Sequence, residues 1–320
     1  MATNEHSWVN HEIMEWIDKK FPVPEHLEPE KKGNWHAYGD VKFVNQSKSK
    51  AKYIRIHWPK PGSSENYNNQ KEKEQIINNV CELLIKIWEL PRPTLIIAII
   101  GGAIYYNGLM IQQYRFRRAL VRTAKSTGAW IITDGTFVGV SKQVDRGIRD
   151  YFAYKNSTDR VVCIGIAPFG LIMDNEKLIR KNAGSLTEKE NTQESSLRGS
   201  VKYFIPKREN YTNVIKQYLA PYHTHFLLID DGTEGQFVPE LSIRNMLENC
   251  LIKKYHSKIC YLVVNGGIGA LNSIDQVVEQ NADAANAPII LVGHTGRVAD
   301  LLSMVFQSSC AEILEILEIC

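Results

Sequence analysis

Five short turns hold the residues of this chain whose types and spacing suit chemistry, and each follows an apolar run. Gly101-Gly102-Ala103 follows Ile97-Ala98-Ile99-Ile100, and Asp134-Gly135-Thr136 follows Ile131-Ile132-Thr133. Asp230-Asp231-Gly232-Thr233-Glu234-Gly235-Gln236 follows Phe226-Leu227-Leu228-Ile229. Asn265-Gly266-Gly267-Ile268-Gly269 follows Leu262-Val263-Val264, and Gly293-His294-Thr295-Gly296-Arg297 follows Ile289-Ile290-Leu291-Val292. Glycine has no Cβ, so the backbone approaches an anion closely, and N–H groups at a helix start point toward it. Turns at the carboxyl ends of buried strands are where open α/β sheets bind ligands. Together they indicate binding of a phosphate-bearing nucleotide.

Charged side chains sharpen that reading. Arg297 follows Gly296 at an expected helix start, where the dipole disfavours a cation unless an anion is near. Arg244 lies one helical turn past Glu240. It either turns back to meet phosphate or adenine or pairs with Glu240 or Glu248 on its own helix. Asp134, Asp230, Asp231 and Glu234 suit acid–base work or ribose hydroxyls equally, and His294 is the acid–base candidate by position. No Gly-x-Ser-x-Gly elbow is present. His223 and His225 lack a third ligand, so they read as strand-edge histidines and no metal is expected.

The elements that must position these turns alternate. An amphipathic piece (Trp8, Ile13, Trp16, Ile17) is followed by a possible strand pair, Val41–Val44 and Tyr53–Ile56. A helix over about 71–90 carries Ile76, Ile77, Val80, Leu83, Leu84 and Ile87 at helical spacing and stops before Pro91. Strands are then expected at 95–100, 129–133, 161–166, 225–229, 260–264 and 288–292. Helices are expected at about 108–127, 139–153, 238–253, 269–280 and 296–306. Such alternation implies parallel strands with right-handed crossovers: an α/β fold, with a Rossmann-like mostly parallel sheet and helices on both faces. Residues 181–200 are polar and read as an exposed insertion. The expected division is an N-terminal extension over 1–90, a nucleotide-binding domain over 91–308, and the start of a helical region over 309–320. The leucine-rich end is either the cut edge of a longer protein or a packed terminal helix.

Across 320 residues, 38 Lys+Arg stand against 35 Asp+Glu. A net charge of +3 does not suggest a polyanion binder, and no nucleic-acid partner is expected. The six cysteines show no Cys-x-x-Cys pair and read as buried structural thiols in a reducing compartment. The polar N-terminus lacks a signal-peptide core, and the longest apolar run is half the length needed to cross a bilayer. The chain is therefore read as cytosolic, with no membrane contact of its own.

Several motifs, in order, resemble one family. Thr127-Gly128-Ala129-Trp130-Ile131-Ile132-Thr133-Asp134-Gly135, Ile164-Gly165-Ile166-Ala167-Pro168-Phe169-Gly170, His223-Thr224-His225-Phe226-Leu227-Leu228 with its Asp-Gly-Thr turn, and Gly296-Arg297-Val298-Ala299-Asp300 resemble the N-terminal homology region of melastatin-type transient receptor potential (TRPM) cation channels. Gly39–Phe43 and Lys52–Ile56 are similar to the start of that region. The resemblance runs from about 38 to 306 and points to the ADP-ribose-gated member. It implies a Rossmann-like, SLOG-type sensor domain in the cytosolic part of a calcium-permeable channel, tetrameric at full length and situated in the plasma membrane. The implied ligand is ADP-ribose or cyclic ADP-ribose, with no other cofactor.

On that reading Gly101, Gly102, Ala103, Gly135, Thr136, Gly232, Thr233, Gly266, Gly267 and Gly296 line the cradle. Arg244 and Arg297 meet phosphate or adenine, and Asp231, Gln236, Glu240 and Asp300 meet ribose. The family's usual Gly-Gly is Asp134-Gly135 here, its Trp is Phe169, and the second arginine expected after Gly170 is absent until Arg180. Related phosphoribohydrolases carry Pro-Gly-Gly-x-Gly-Thr-x-x-Glu, where this chain has Ala270 for the Thr and Ser273 for the Glu. A cradle without its carboxylate is expected to bind without turnover, so the chain is not expected to be an enzyme. The alternatives are a nucleotide glycosidase using Glu234 or Glu240, and a channel assembly module with no ligand.

Overall fold

In the computed structural model the described residues are 9–24, 35–44, 50–59, 66–102, 110–155, 160–179, 200–206, 216–235, 239–281 and 287–308. The expected insertion at 181–200, all but Ser200, and the terminal piece at 309–320 lie outside them, as do Ala103, Arg180 and Gln236. The fold is α/β, with mostly parallel strands, and its contacts gather into two compact units built from non-adjacent stretches.

The first unit comprises residues 1–92, 134–136 and 162–255. It opens with helix α1 (His11–Lys20), capped by Asn10, whose side chain accepts from the Ile13 N–H at 2.8 Å. Strands β1 (Tyr38–Val44) and β2 (Lys50–His57) pair antiparallel, as their alternation suggested. Helix α2 (Asn66–Glu82) runs into a wider π turn over Leu83–Ile87, an earlier end to the regular helix than the apolar spacing implied. Strands β5 (Cys163–Pro168), β6 (Ser200–Phe204) and β7 (His225–Asp230) complete the order β6-β1-β2-β7-β5. Every contact but β1–β2 is parallel. All six residues of β5 and of β7 are buried, which explains their unbroken apolar runs. Helix α5 (Pro239–Tyr255) follows the turn after β7.

The second unit comprises 93–133, 137–161 and 256–320. Its strands β3 (Leu95–Gly101), β4 (Trp130–Thr133), β8 (Lys258–Val264) and β9 (Ile289–Val292) lie in the order β4-β3-β8-β9, all parallel. Helices α3 (Met110–Thr127), α4 (Gly139–Lys155), α6 (Ile268–Asn281) and α7 (Arg297–Gln307) connect or follow them. Ile96 through Ile100 of β3 and all of β4 are buried. Each such Ile contributes about 1.5–3 kcal/mol of burial. Helix α3 carries Arg115, Arg117, Arg118, Arg122 and Lys125 with no acidic residue. Four of these line a groove of about 730 Å³ with Asp150 and Tyr151 of α4.

Among the described residues no helix is long and apolar enough to cross a membrane.

Candidate functional site

In the first unit the turn after β7 is held by its own aspartates. Asp230 is buried, and its Oδ1 accepts the Gly232 N–H at 2.7 Å. Its Oδ2 accepts from Arg55 Nε at 2.7 Å and forms an ion pair with the same guanidinium. Arg55 also donates to the Trp35 carbonyl, and lies over the rings of Trp35 (3.8 Å) and Phe169 (4.1 Å). Burial pulls the Arg55 pKa below its ordinary value while Asp230 works against that shift. Asp231 Oδ1 accepts both the Thr233 N–H (2.9 Å) and its hydroxyl (2.6 Å), an Asx turn built into the Asp-Gly-Thr run.

Two glycines of this unit are there for contact. A Cβ on Gly170 would sit 2.1 Å from the Thr233 carbonyl, so the turns after β5 and β7 touch backbone to backbone. Gly135 has φ +72, and a Cβ there would lie 2.7 Å from the Cα of Gly165. Its carbonyl accepts from Ala220 N–H. Thr136 is fully buried, and its N–H and hydroxyl both donate to Asp134 Oδ1. The extra negative charge of Asp134 thus ties down its own turn.

Arg244 sits on α5 with 11% of its side chain exposed, and Nε donates to Glu248 Oε1 at 2.9 Å; Glu248 is fully buried. Of the two readings open in the sequence, the helix pair is the one observed, inside the protein and not on its surface. Glu240 falls in α5, but its side chain lies outside the described residues. Glu234 is exposed. His223 stacks on Phe226, and His225 packs against Trp88 with Nδ1 2.8 Å from Thr224 Oγ1.

The second unit brings together the ends of β3, β8 and β9. A Cβ on Gly101 would sit 2.7 Å from the Val264 carbonyl, and Gly102 accepts from Val140 N–H. Asn265 adopts φ 60; its N–H donates to Thr295 Oγ1 and its amide to the Thr295 carbonyl, at 2.9 and 2.8 Å. Its Oδ1 accepts the Gly266 N–H at 2.8 Å, so that donor is committed and does not serve an anion. The N–H groups left for a ligand are those of the first turn of α6, which have no partner inside a helix.

Asp300 accepts from the N–H groups of Thr295 (3.1 Å) and Gly296 (3.0 Å). It reaches back across the start of α7, so its carboxylate positions the turn, where ribose had been expected to meet it. Arg297 is different. Its backbone has φ 55, its side chain is exposed, and its guanidinium lies 3.5 Å from where a Gly267 Cβ would stand. Among the described residues it makes no ion pair or hydrogen bond. A left-handed non-glycine residue costs about 1–3 kcal/mol, and a cation at a helix N-terminus costs more.

Ser273, at the position where a phosphoribohydrolase-like motif was expected to carry Glu, donates to the Gly269 carbonyl one turn back in α6, at 2.9 Å. Ala270 is buried against Gly266. Serine bonded to its own helix has no proton to offer a glycosidic bond.

Comparison with known proteins now decides the family. The model described as LSDAT_euk, SLOG in TRPM, matches residues 70–314. The chain belongs to that family. It is similar to the mouse transient receptor potential cation channel subfamily M member 2, with 31% identity over 286 residues, 87% of this chain and 16% of that protein. The fruit-fly channel trpm (Drosophila melanogaster) is 30% identical over 279 residues, 85% of this chain and 12% of that one. Human subfamily M member 7 is 27% identical over 283 residues, 85% and 13% respectively. The chain thus spans about a sixth or less of these TRPM channels. The resemblance carried by the motifs holds, and the Rossmann-like α/β fold is that of a SLOG domain in this channel family.

The residues that sequence reasoning missed are Arg55, Asn265 and Thr295. Arg55 and Asp230 are 175 residues apart, and no local spacing reveals their pairing. Asn265 carried a local signal, an Asn before Gly-Gly where the chain must turn left-handed.

Proposed function

We propose that this chain is a ligand-sensing domain of a TRPM cation channel, binding ADP-ribose or cyclic ADP-ribose without turning it over. Arg297 carries the reading: an exposed guanidinium, held in a strained backbone over Gly267, beside the first turn of α6. A phosphate placed there gains a bidentate partner and orphan helix N–H groups together. Gly101, Gly102, Gly266 and Gly296 shape that turn cluster, and Asp300 and Asn265 hold it. In the first unit Asp231 and Thr233 hold their own turn, and Arg244 stays bound to Glu248. Ser273 in place of a carboxylate supports binding without hydrolysis. The full-length protein is read as a calcium-permeable, tetrameric channel of the plasma membrane, with this domain on its cytosolic side. Binding biases gating only through contacts that differ between two states of the channel.

The test is product analysis after long incubation of the 320-residue chain with ADP-ribose, beside a calorimetric titration against AMP. Saturable heat with intact ligand is expected. Released adenine would show a glycosidase, and no heat from a folded chain would leave an assembly module.

A further inference from the structure

Two thiols stand apart from the turn clusters. Cys81, near the end of α2, has no exposed surface, while Cys250, on α5, is half-buried. They are 169 residues apart, and their sulfurs lie 3.0 Å from one another, with the Cys81 S–H donating to Cys250. A disulfide has S–S near 2.05 Å, so closure by about 1 Å completes the bond. Asn78 Oδ1 lies 4.0 Å from Cys250 Sγ, and Lys254 follows one helical turn later. The hydrogen bond from Cys81 draws the Cys250 thiol down to about 7 against the opposing effect of burial, with help from Lys254. The same bond, then burial, pushes the Cys81 thiol up. Glu82, Arg92 and Tyr255 are the other titratable groups of this neighbourhood. Of the thiols read as buried and structural, Cys81 and Cys163 are buried, while Cys250 and Cys260 are only half-buried.

We propose that Cys81 and Cys250 form an oxidisable dithiol, a modification site at which a hydroperoxide closes a disulfide that staples α2 to α5. The thiolate is the reacting form, and one with a pKa near ambient pH attacks fastest. Cys250 sulfur attacks the peroxide; the S–O bond forms, the O–O bond breaks, and the leaving oxygen takes a proton to depart as water or alcohol. Cys81 sulfur then attacks the sulfenic sulfur of Cys250. The S–S bond forms, and the hydroxyl leaves as water with the Cys81 proton. Two thiols are oxidised by two electrons and one peroxide is reduced. The staple fixes the helix on which Arg244 lies six residues before Cys250.

The experiment treats the full chain with hydrogen peroxide, then unfolds it, counts thiols and maps peptides. The count is expected to fall from six to four, with Cys81 and Cys250 peptides joined and the chain lighter by two hydrogens. Tm is expected to rise by about 3 °C or more. With Cys81→Ser, Cys250 is expected to stop at the sulfenic acid, trapped by a dione reagent. Alkylation of Cys250 in the wild-type chain is expected to rise with pH through about 7, below the ordinary thiol value of about 8.5. The proposal is overturned if the wild-type map joins either cysteine to another, or shows only added oxygen at Cys250, or finds Cys250 no more reactive than Cys163. These readouts on the wild-type chain stand whether or not the serine variant folds.

Discussion

Arg297 of the second unit and Arg244 of the first came from the sequence as two versions of one residue, and their surroundings differ sharply. Arg244 is nearly buried and held by Glu248, which has no exposed surface. Arg297 is exposed, strained at φ 55, and without an ion pair among the described residues. Arg55 repeats the first pattern, sealed against Asp230 between Trp35 and Phe169. A guanidinium already neutralised inside the protein works on the fold. One left open over a glycine turn is poised for an anion from outside. The difference turns on which carboxylate reaches the arginine first.

Breaking the internal pairs should therefore cost stability. Arg55→Ala leaves Asp230 buried with an uncompensated charge, and a loss of about 3–5 kcal/mol is expected by chemical denaturation. Arg244→Ala is expected to cost a similar amount, since Arg244 is as buried as Arg55 and its loss strands Glu248, which has no exposed surface. Adding Glu248→Leu should recover much of it, because removing both charges abolishes the stranded one. No recovery would mean that Arg244 holds something besides Glu248.

Asp300→Ala frees the N–H groups of Thr295 and Gly296. A cost of about 1–2 kcal/mol is expected, the range for losing a helix cap, together with weaker ADP-ribose binding as the turn loosens. Arg118→Glu on the basic face of α3 is expected to leave ADP-ribose affinity and Tm within error, since that face is exposed and removed along the chain from the turns. A large loss of affinity there would move the anion site to the α3–α4 groove.

The strands and helices were legible because buried parallel strands read as unbroken apolar runs; β3, β4, β5 and β7 were all placed within a few residues. The strand β6 was not, because Ser200–Phe204 is half polar and gains its place only by pairing with β1. Within the candidate site, glycine positions were visible but not their reasons. Gly135 and Gly165 press together 30 residues apart, and Gly170 presses on Thr233, contacts that no window of sequence contains. The partner of Arg244 was visible as a spacing of four. That of Arg55 was not, since parallel pairing of β2 with β7 creates it.

The central claim is that Arg297 is the open cation of a nucleotide site. Calorimetric titration of ADP-ribose into the wild-type chain and into Arg297→Ala tests it directly, with Tm measured on both. Charged hydrogen bonds to one guanidinium contribute about 1.5–3 kcal/mol. Affinity is therefore expected to fall by roughly tenfold to a hundredfold, while Tm holds or rises as a cation is removed from the helix N-terminus. Equal affinity in the two proteins, with both folded, would contradict the account.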